Sequence, residues 1–105
     1  MPGINRFTLD ATLAARDELR HTPAGIAAVE CTLDHRSVQR EAEGMRRVEC
    51  EMHAVAFGDV ARALDRCAIG CALRVEGFVA RRYRTGTSIT LHLTHFEQMV
   101  TTKGN

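Results

Sequence analysis

The stretch Gly58-Asp59-Val60-Ala61-Arg62-Ala63-Leu64-Asp65-Arg66-Cys67 decides the fold, because the spacing of apolar residues changes there. On either side of it, apolar residues recur at every second position, whereas inside it they recur at helical intervals. The residues that share this helical face are Val60, Ala63, Leu64 and Cys67. Such spacing predicts a short amphipathic helix, and Asp59 is placed to cap its first turn. One helix therefore interrupts a series of strands.

Five stretches of alternating apolar and polar residues predict strands on either side of that helix. The predicted strands run from Phe7 to Leu13, Ala27 to His35, Val48 to Ala56, Leu73 to Val79 and Ile89 to Leu93. In the third strand, Cys50 falls on the inward face, and Glu49 and Glu51 fall on the outward face. We expect a polar connection from Ser37 to Gly44 before it. Gly77, in the middle of the fourth strand, predicts a bulge or bend.

Five strands with one helix between the third and the fourth are typical of a small Greek-key barrel, and they are too few for a sandwich. We therefore predict an all-β fold, a five-stranded Greek-key OB-fold barrel with one short helix between strands 3 and 4. A chain of 105 residues without internal repeats has room for one core. We expect residues 1–100 to form this domain and residues 101–105 to form a flexible C-terminal tail.

The composition excludes several broad classes of protein. With 45% hydrophobic and 26% charged residues the chain is neither disordered nor collagen-like, and its formal net charge of +1 requires neither nucleic acid nor a membrane as partner. Its longest apolar runs are far shorter than the roughly 20 residues needed to cross a bilayer. The first residues lack the pattern of a secretory signal, so we expect a reduced, cytoplasmic protein without membrane partners.

A local basic cluster lies between the fourth and fifth predicted strands, where Arg81, Arg82 and Arg84 surround Tyr83. Residues 77–96 contain no acidic side chain. Guanidinium groups neutralise phosphates and a phenol ring stacks on bases, so this hairpin is a candidate site for single-stranded nucleic acid. In OB barrels the loop between strands 4 and 5 contacts oligonucleotides. The alternative is an exposed loop that its charge keeps solvated.

A second basic cluster lies in the connection between the second and third predicted strands. It contains Arg36, Arg40, Arg46 and Arg47. Glu41 and Glu43 lie in the same segment, so we expect ion pairs within it to absorb part of the charge. On the next strand the outward Glu49 and Glu51 would repel phosphate, which argues against a strongly basic groove across the whole sheet.

The chain has no recognisable catalytic or metal-binding pattern. Its four cysteines lack the paired two-residue spacings of common zinc sites, and the inward positions of Cys31, Cys50 and Cys67 predict buried, reduced thiols. There is no glycine-rich phosphate loop, nucleophile elbow or recognisable pair of carboxylates. We therefore expect no enzymatic activity, no metal and no cofactor.

Six segments spread over almost the entire chain form a recognisable set. They are Asn5-Arg6, Thr22-Pro23-Ala24-Gly25-Ile26, Leu33-Asp34-His35-Arg36-Ser37-Val38-Gln39, Glu51-Met52, Val75-Glu76-Gly77-Phe78-Val79 and Leu91-His92. Together they resemble the primosomal replication protein N (PriB) family, which is related to bacterial single-stranded DNA-binding proteins. The stretch from His35 to Gln39 is fairly specific to this family, whereas the last two segments are shared loosely with other single-strand binders.

The resemblance implies an OB-fold homodimer that binds single-stranded DNA and stimulates replication restart by bridging DNA, the PriA restart helicase and helicase-loading factors. It implies no enzymatic activity. In the family, aromatic residues of the strand 2 to 3 loop and of strand 3 contact DNA, as do lysines of the strand 4 to 5 hairpin. Met45 and Glu49 stand near the two aromatic positions here, and arginines replace the lysines. The candidate nucleic-acid-binding residues are Arg36, Met45, Arg46, Arg47, Arg81, Arg82, Tyr83 and Arg84.

The missing aromatic residues predict weaker or relocated DNA binding, because each stacking platform contributes roughly 1–3 kcal/mol per base. The alternative function is a dimeric protein–protein interaction module that recruits the restart helicase with little direct DNA binding. Glu49, Glu51 and the near-zero net charge favour this alternative, and the acid-free hairpin opposes it. RNA is a further alternative to DNA, because contacts to backbone and base faces need not read a 2′-hydroxyl.

Overall fold

The computed structural model describes residues 2–100, which form six strands and one helix. The strands are β1 (Phe7–Arg16), β2 (Arg20–His21), β3 (Ala27–Glu41), β4 (Gly44–Phe57), β5 (Ala72–Arg81) and β6 (Ile89–Gln98), and the helix is α1 (Asp59–Asp65). The five predicted strands correspond to β1, β3, β4, β5 and β6. The proposed tail, residues 101–105, lies outside the described residues. In the described part of the chain, no helix is long and apolar enough to cross a membrane.

The strands close into a barrel. β1 pairs antiparallel with β3 and with β5, β5 pairs antiparallel with β6, and β3 pairs antiparallel with β4. A parallel pairing of β4 with β6, in which Ala54 lies opposite Leu91, completes the ring. With α1 between β4 and β5, this is the connectivity of a five-stranded OB barrel. The predicted fold class is confirmed.

Aliphatic side chains fill the barrel, as the alternation predicted. Leu13, Leu33, Leu73 and Leu91 are fully buried in one cluster. The helix α1 adds Leu64 to the same cluster, so its apolar face packs onto the barrel core. Burial of a leucine side chain contributes roughly 1.5–3 kcal/mol, so these five positions contribute substantially to the hydrophobic stabilisation of the barrel.

The start of α1 differs from the expected cap. Gly58 occupies the N-cap position with a φ of 69°, and no side chain caps the helix. Asp59 is instead the first helical residue, and its carboxylate pairs with Arg62 at 3.0 Å. A carboxylate in the first turn still interacts favourably with the positive end of the helix dipole. The predicted cap was wrong by one residue because the turn into α1 requires a positive φ, which glycine adopts without strain.

The segment from Ser37 to Gly44 is not a polar connection. β3 and β4 pair without a break from Ala28 opposite Phe57 to Glu41 opposite Gly44, and a tight turn with Ala42 at a φ of 55° joins them. We call the outer part of this hairpin, residues 36–47, the β3–β4 arm. Most of its residues are exposed, so they do not alternate between apolar and polar types. Because strands were predicted from such alternation, this part of β3 and β4 was missed.

The cysteines separate into buried and exposed groups. Cys31 and Cys67 are buried as predicted, and burial raises the pKa of the Cys31 thiol to about 12. Cys50 is exposed, so its predicted burial was wrong. It lies opposite His35, just beyond the last pairing of β1 with β3 at Asp34, where the barrel wall ends. Within residues 2–100, no three potential ligand side chains cluster in a way that could hold a metal.

The irregularity predicted at Gly77 is confirmed. The register between β5 and β6 shifts between Glu76 and Gly77. There the glycine Cα lies directly against the backbone of His92, with no room for a side chain. The close approach bends the sheet at the base of the β5–β6 hairpin.

Candidate nucleic-acid interface

The tip of the β5–β6 hairpin carries the first predicted basic cluster. β5 ends at Arg81, and the amide of Arg82 donates a 2.8 Å hydrogen bond to the carbonyl oxygen of Ser88, which closes the hairpin. The guanidinium carbon of Arg82 lies 5.1 Å from the centre of the Tyr83 ring, within cation–π range. In residues 2–100, no carboxylate forms an ion pair with Arg81, Arg82 or Arg84. Their charges are therefore available to an anionic ligand.

A cavity of about 290 Å³ lies between this hairpin tip and the outer face of the barrel. We call it the tip groove. Its lining residues are Arg20, Glu30, His53, Val55, Phe57, Arg81, Arg82, Tyr83, Thr90 and His92. Three arginines thus face one glutamate in a cavity that also contains aromatic rings. Three of the predicted residues, Arg81, Arg82 and Tyr83, line the groove, while Arg84 lies at the exposed tip beside them.

The floor of the tip groove contains stacked rings that sequence reasoning missed. His92 stacks on Phe57 with 6.1 Å between ring centroids, and on Phe78, just outside the groove, with 4.8 Å. Phe57 and Phe78 are 42% and 38% exposed, so part of their ring surface remains accessible to a ligand. One signal was available in the sequence. Phe57 continues the outward alternation of His53 and Val55, and so lies on the same face of β4 as these two groove residues.

One carboxylate lies within the same groove. Glu30 Oε2 accepts a hydrogen bond from Arg20 at 3.0 Å, and Glu30 Oε1 accepts one from His53 Nε2 at 2.8 Å. The contact with His53 and then the contact with Arg20 lower the pKa of Glu30 below its ordinary value. Glu30 is therefore ionised at neutral pH. Nothing in the alternation of β3 distinguished it from the other outward residues, because its partners lie far away in sequence.

The β3–β4 arm carries the second predicted cluster, and its charges are partly paired. Arg36 Nε lies 3.3 Å from Asp34, and Arg46 lies 3.1 Å from Glu41. All four side chains are at least partly exposed to solvent, where an ion pair contributes less than about 1 kcal/mol. The pair of Arg46 with Glu41 lies within the segment, as predicted, whereas Arg36 pairs with Asp34 just before it. Water and phosphate can compete for both arginines.

Three of the four candidate residues of the arm lie on the same face of the β3–β4 ladder as the β3 and β4 residues of the tip groove, but further along the strands. In the antiparallel ladder paired residues lie on the same face, so Arg36, Met45 and Arg47 lie on one face and Arg46 lies on the other. Met45 is 62% exposed. None of these four residues lines the tip groove. The structure therefore brings the residues of the β5–β6 tip together at the groove, and it places three of the arm residues beyond the groove on the same face of the ladder.

The stretch from His35 to Gln39 has a structural role at the base of the arm. His35 is buried, and its Nδ1 donates a 2.7 Å hydrogen bond to the carbonyl oxygen of Asp10 on β1. Its Nε2 lies within hydrogen-bonding distance of the Ser37 hydroxyl oxygen, at 2.8 Å. Gln39 donates to the same hydroxyl oxygen at 3.0 Å. These bonds connect β3 to β1 just beyond the end of their ladder, and they hold the arm in place.

Comparison with known sequences shows which proteins this chain is similar to. A model described as another single-strand binding protein family matches residues 5–95. The replication restart protein PriB of Bordetella pertussis is 39% identical over 90 residues, which cover 86% of this chain and 84% of that protein. Replication restart protein PriB of Nitrosomonas europaea is 33% identical over 89 residues, which cover 85% of this chain and 82% of that protein.

Solved structures agree with the sequence comparison. The protein PriB from Ralstonia solanacearum superposes with a TM-score of 0.85 at 38% identity, over 91% of this chain and 98% of that chain. The single-stranded DNA binding protein from Thermus aquaticus has the same fold, with a TM-score of 0.76 at 21% identity over 95% of this chain and 52% of that one. The resemblance found in the sequence is confirmed, and the chain belongs to the PriB family of replication restart proteins.

Proposed function

We propose that this chain is a non-enzymatic accessory protein that binds single-stranded DNA in the tip groove and stimulates replication restart. In this role it bridges DNA, the PriA restart helicase and helicase-loading factors of the primosome in the cytoplasm. The observation that carries the proposal is the tip groove, in which arginines and stacked rings line one cavity of an OB barrel. The relatives named replication restart protein PriB support the role in replication.

The chemistry of the tip groove suits a single strand better than a duplex. Arg81 and Arg82 at the rim neutralise phosphates, and Arg84 extends the positive charge along the hairpin. Unpaired bases can stack on Tyr83 and Phe57, whereas a duplex keeps its base faces covered. Contacts to phosphates and ring faces read no sequence, so we expect binding without strong sequence preference.

We assign the β3–β4 arm a secondary role. Arg36, Met45 and Arg47 lie on one face of the arm, where a strand leaving the groove can follow them. Arg46 lies on the opposite face. The ion pairs of Arg36 and Arg46 must be exchanged for phosphate contacts, so each contributes less affinity than an unpaired arginine of the tip.

The alternative function, a dimeric interaction module that recruits the restart helicase with little direct DNA binding, has one observation in its favour. Glu49 and Glu51 are both exposed on β4, and Glu51 lies directly opposite Asp34 in the ladder. Two carboxylates at paired positions repel each other and repel phosphate. A titration with single-stranded DNA distinguishes the two functions, because the module would show no saturable binding at micromolar protein.

We also propose that the protein forms a homodimer through β1. From Phe7 to Ala11, β1 pairs with β5 on one side, and no strand within residues 2–100 pairs with its other side. An open edge can pair with a second copy of itself, and a two-fold dimer buries both edges. Light scattering after size-exclusion chromatography is expected to give twice the chain mass of 11.6 kDa. The mass of a single chain at high micromolar concentration would contradict this arrangement.

Phe57→Ala is expected to weaken binding of a labelled oligothymidine by about tenfold, because one base-stacking platform contributes roughly 1–3 kcal/mol. Fluorescence anisotropy measures the affinity, and a melting curve verifies that the variant is folded. Ile69→Ala is the matched control, since Ile69 is another exposed apolar residue, 52% accessible, and lies between α1 and β5 outside the groove. If both variants bind like the unsubstituted protein, the aromatic floor is not part of the binding site.

A further inference from the structure

The position of Glu30 in the tip groove is unexpected for a site that binds an anion. Glu30, His53 and Arg82 line both the tip groove and a smaller adjoining cavity of about 150 Å³. Glu30 therefore lies where the groove continues past the hairpin tip. A phosphate that enters this end of the groove approaches a carboxylate, and that carboxylate already occupies two of the available donors, Arg20 and His53.

The hydrogen bonds around His53 place one of its ring N–H groups against Glu30. The ring Nδ1 lies 2.6 Å from the hydroxyl oxygen of Thr90, and that hydroxyl oxygen also lies 3.1 Å from the carbonyl oxygen of His53. Nε2 faces the carboxylate of Glu30, which only accepts. Nε2 therefore carries a hydrogen and donates it to Glu30. Glu30 is held between this imidazole N–H and the guanidinium of Arg20.

These contacts imitate those of a bound phosphate. Each oxygen of Glu30 accepts one charge-assisted hydrogen bond, as two oxygens of a phosphodiester would. We infer that Glu30 is an internal competitor for the phosphates of the bound strand, and that it limits the affinity of the tip groove by occupying Arg20 and His53. This inference rests on the proposed function, because it concerns the ligand of the same groove.

The competitor role and a purely structural role predict opposite changes in DNA affinity when the charge of Glu30 is removed. If Glu30 served only to hold Arg20 and His53 in position, its loss would disorder the groove and weaken binding. If it competes with phosphate, its neutralisation strengthens binding. An amide side chain has one acceptor oxygen instead of two carboxylate oxygens, so Glu30→Gln also leaves Arg20 or His53 without a partner and free to bind phosphate.

Glu30→Gln is expected to bind a labelled oligothymidine roughly fivefold more tightly at 50 mM salt, the equivalent of about one exposed ion pair. The slope of log affinity against log salt should become steeper by about 0.7, which is the contribution of one additional phosphate contact to a single strand. Glu76→Gln is the control for net charge, because Glu76 is an exposed acid on the outward face of β5 and does not line the groove. Glu76→Gln should change neither the affinity nor the salt slope appreciably. Glu30→Asp keeps the charge and should not tighten binding.

An affinity of Glu30→Gln equal to or below that of the unsubstituted protein would overturn the inference. If the glutamine variant does not fold, Glu30→Thr provides the same neutralisation with a residue that suits a strand. Titration with pyrophosphate, followed by NMR shifts of His53, separates this inference from the proposed function. If neither protein binds the oligonucleotide, the proposed function fails, and tighter pyrophosphate binding by Glu30→Gln still supports the competitor role. Equal or weaker pyrophosphate binding by the variant would refute it.

Discussion

Replacing Arg82 and Arg84 together by alanine is expected to remove most of the affinity for single-stranded DNA. If each arginine contacts one phosphate, each contributes about 0.7 to the salt slope, which corresponds to a combined loss of roughly 25-fold at 100 mM salt. The double variant also loses the contact between Arg82 and Tyr83, which positions the ring for stacking. The salt slope should fall by about 1.4, so the affinities of the two proteins should converge at high salt.

Arg62→Ala with Arg66→Ala is the matched control for that experiment. It removes two exposed arginines, and thus the same net charge, from α1 and its C-terminal end, outside the tip groove. We expect its affinity and salt slope to remain close to those of the unsubstituted protein. If the two double variants lose affinity equally, only overall charge matters. If the Arg82 and Arg84 variant binds normally, the hairpin tip is not part of the site.

Gly77→Ala is expected to have the largest effect on folding, at least about 3 kcal/mol of lost stability. A Cβ at this position would overlap the carbonyl oxygen of His92 and would lie 3.2 Å from the Cα of Leu93. Both obstacles are backbone, so no side-chain rotation can relieve the clash, and β5 must separate from β6. Urea unfolding followed by circular dichroism measures the change. DNA binding should also suffer, because the same bulge lies at the base of the hairpin that carries Arg82.

Gly44→Ala provides a comparison within another strand. A Cβ there would meet nothing within 4 Å, and the residue has no positive φ. Replacing glycine by alanine at a compatible position stabilises by about 0.4–1 kcal/mol, through the lower entropy of the unfolded chain. We therefore expect alanine to stabilise the protein at position 44 and to destabilise it at position 77. A similar, small effect at both would show that β5 and β6 do not approach each other closely at Gly77.

The barrel could be predicted from the sequence because its core follows simple periods. Leu13, Leu33 and Leu91 are inward members of alternating strands, and Leu64 lies on the apolar face of the one helical segment. Burial on one face imposes these periods, so they are visible in the sequence. The tip of the β5–β6 hairpin was also visible, because a segment without acidic residues surrounds its arginines.

The remaining features depend on contacts between residues that are far apart in sequence. The β3–β4 arm is a strand pair without a buried face, so its residues carry no periodic signal. The stack of Phe57 on His92 requires the parallel pairing of β4 with β6. The ion pairs of Glu30 require β2, β3 and β4 to be adjacent. These contacts form only when the barrel closes, so the local pattern of the sequence does not predict them.

The central claim is that the tip groove binds single-stranded DNA, and fluorescence anisotropy tests it most directly. Labelled single-stranded and double-stranded oligonucleotides are titrated with the protein at salt concentrations from 50 to 200 mM. With about four phosphate contacts, we expect saturable, single-strand-selective binding that weakens roughly fifty-fold across this range. The absence of saturable binding at micromolar protein, or equal affinity for the duplex, would contradict the claim and favour the interaction module.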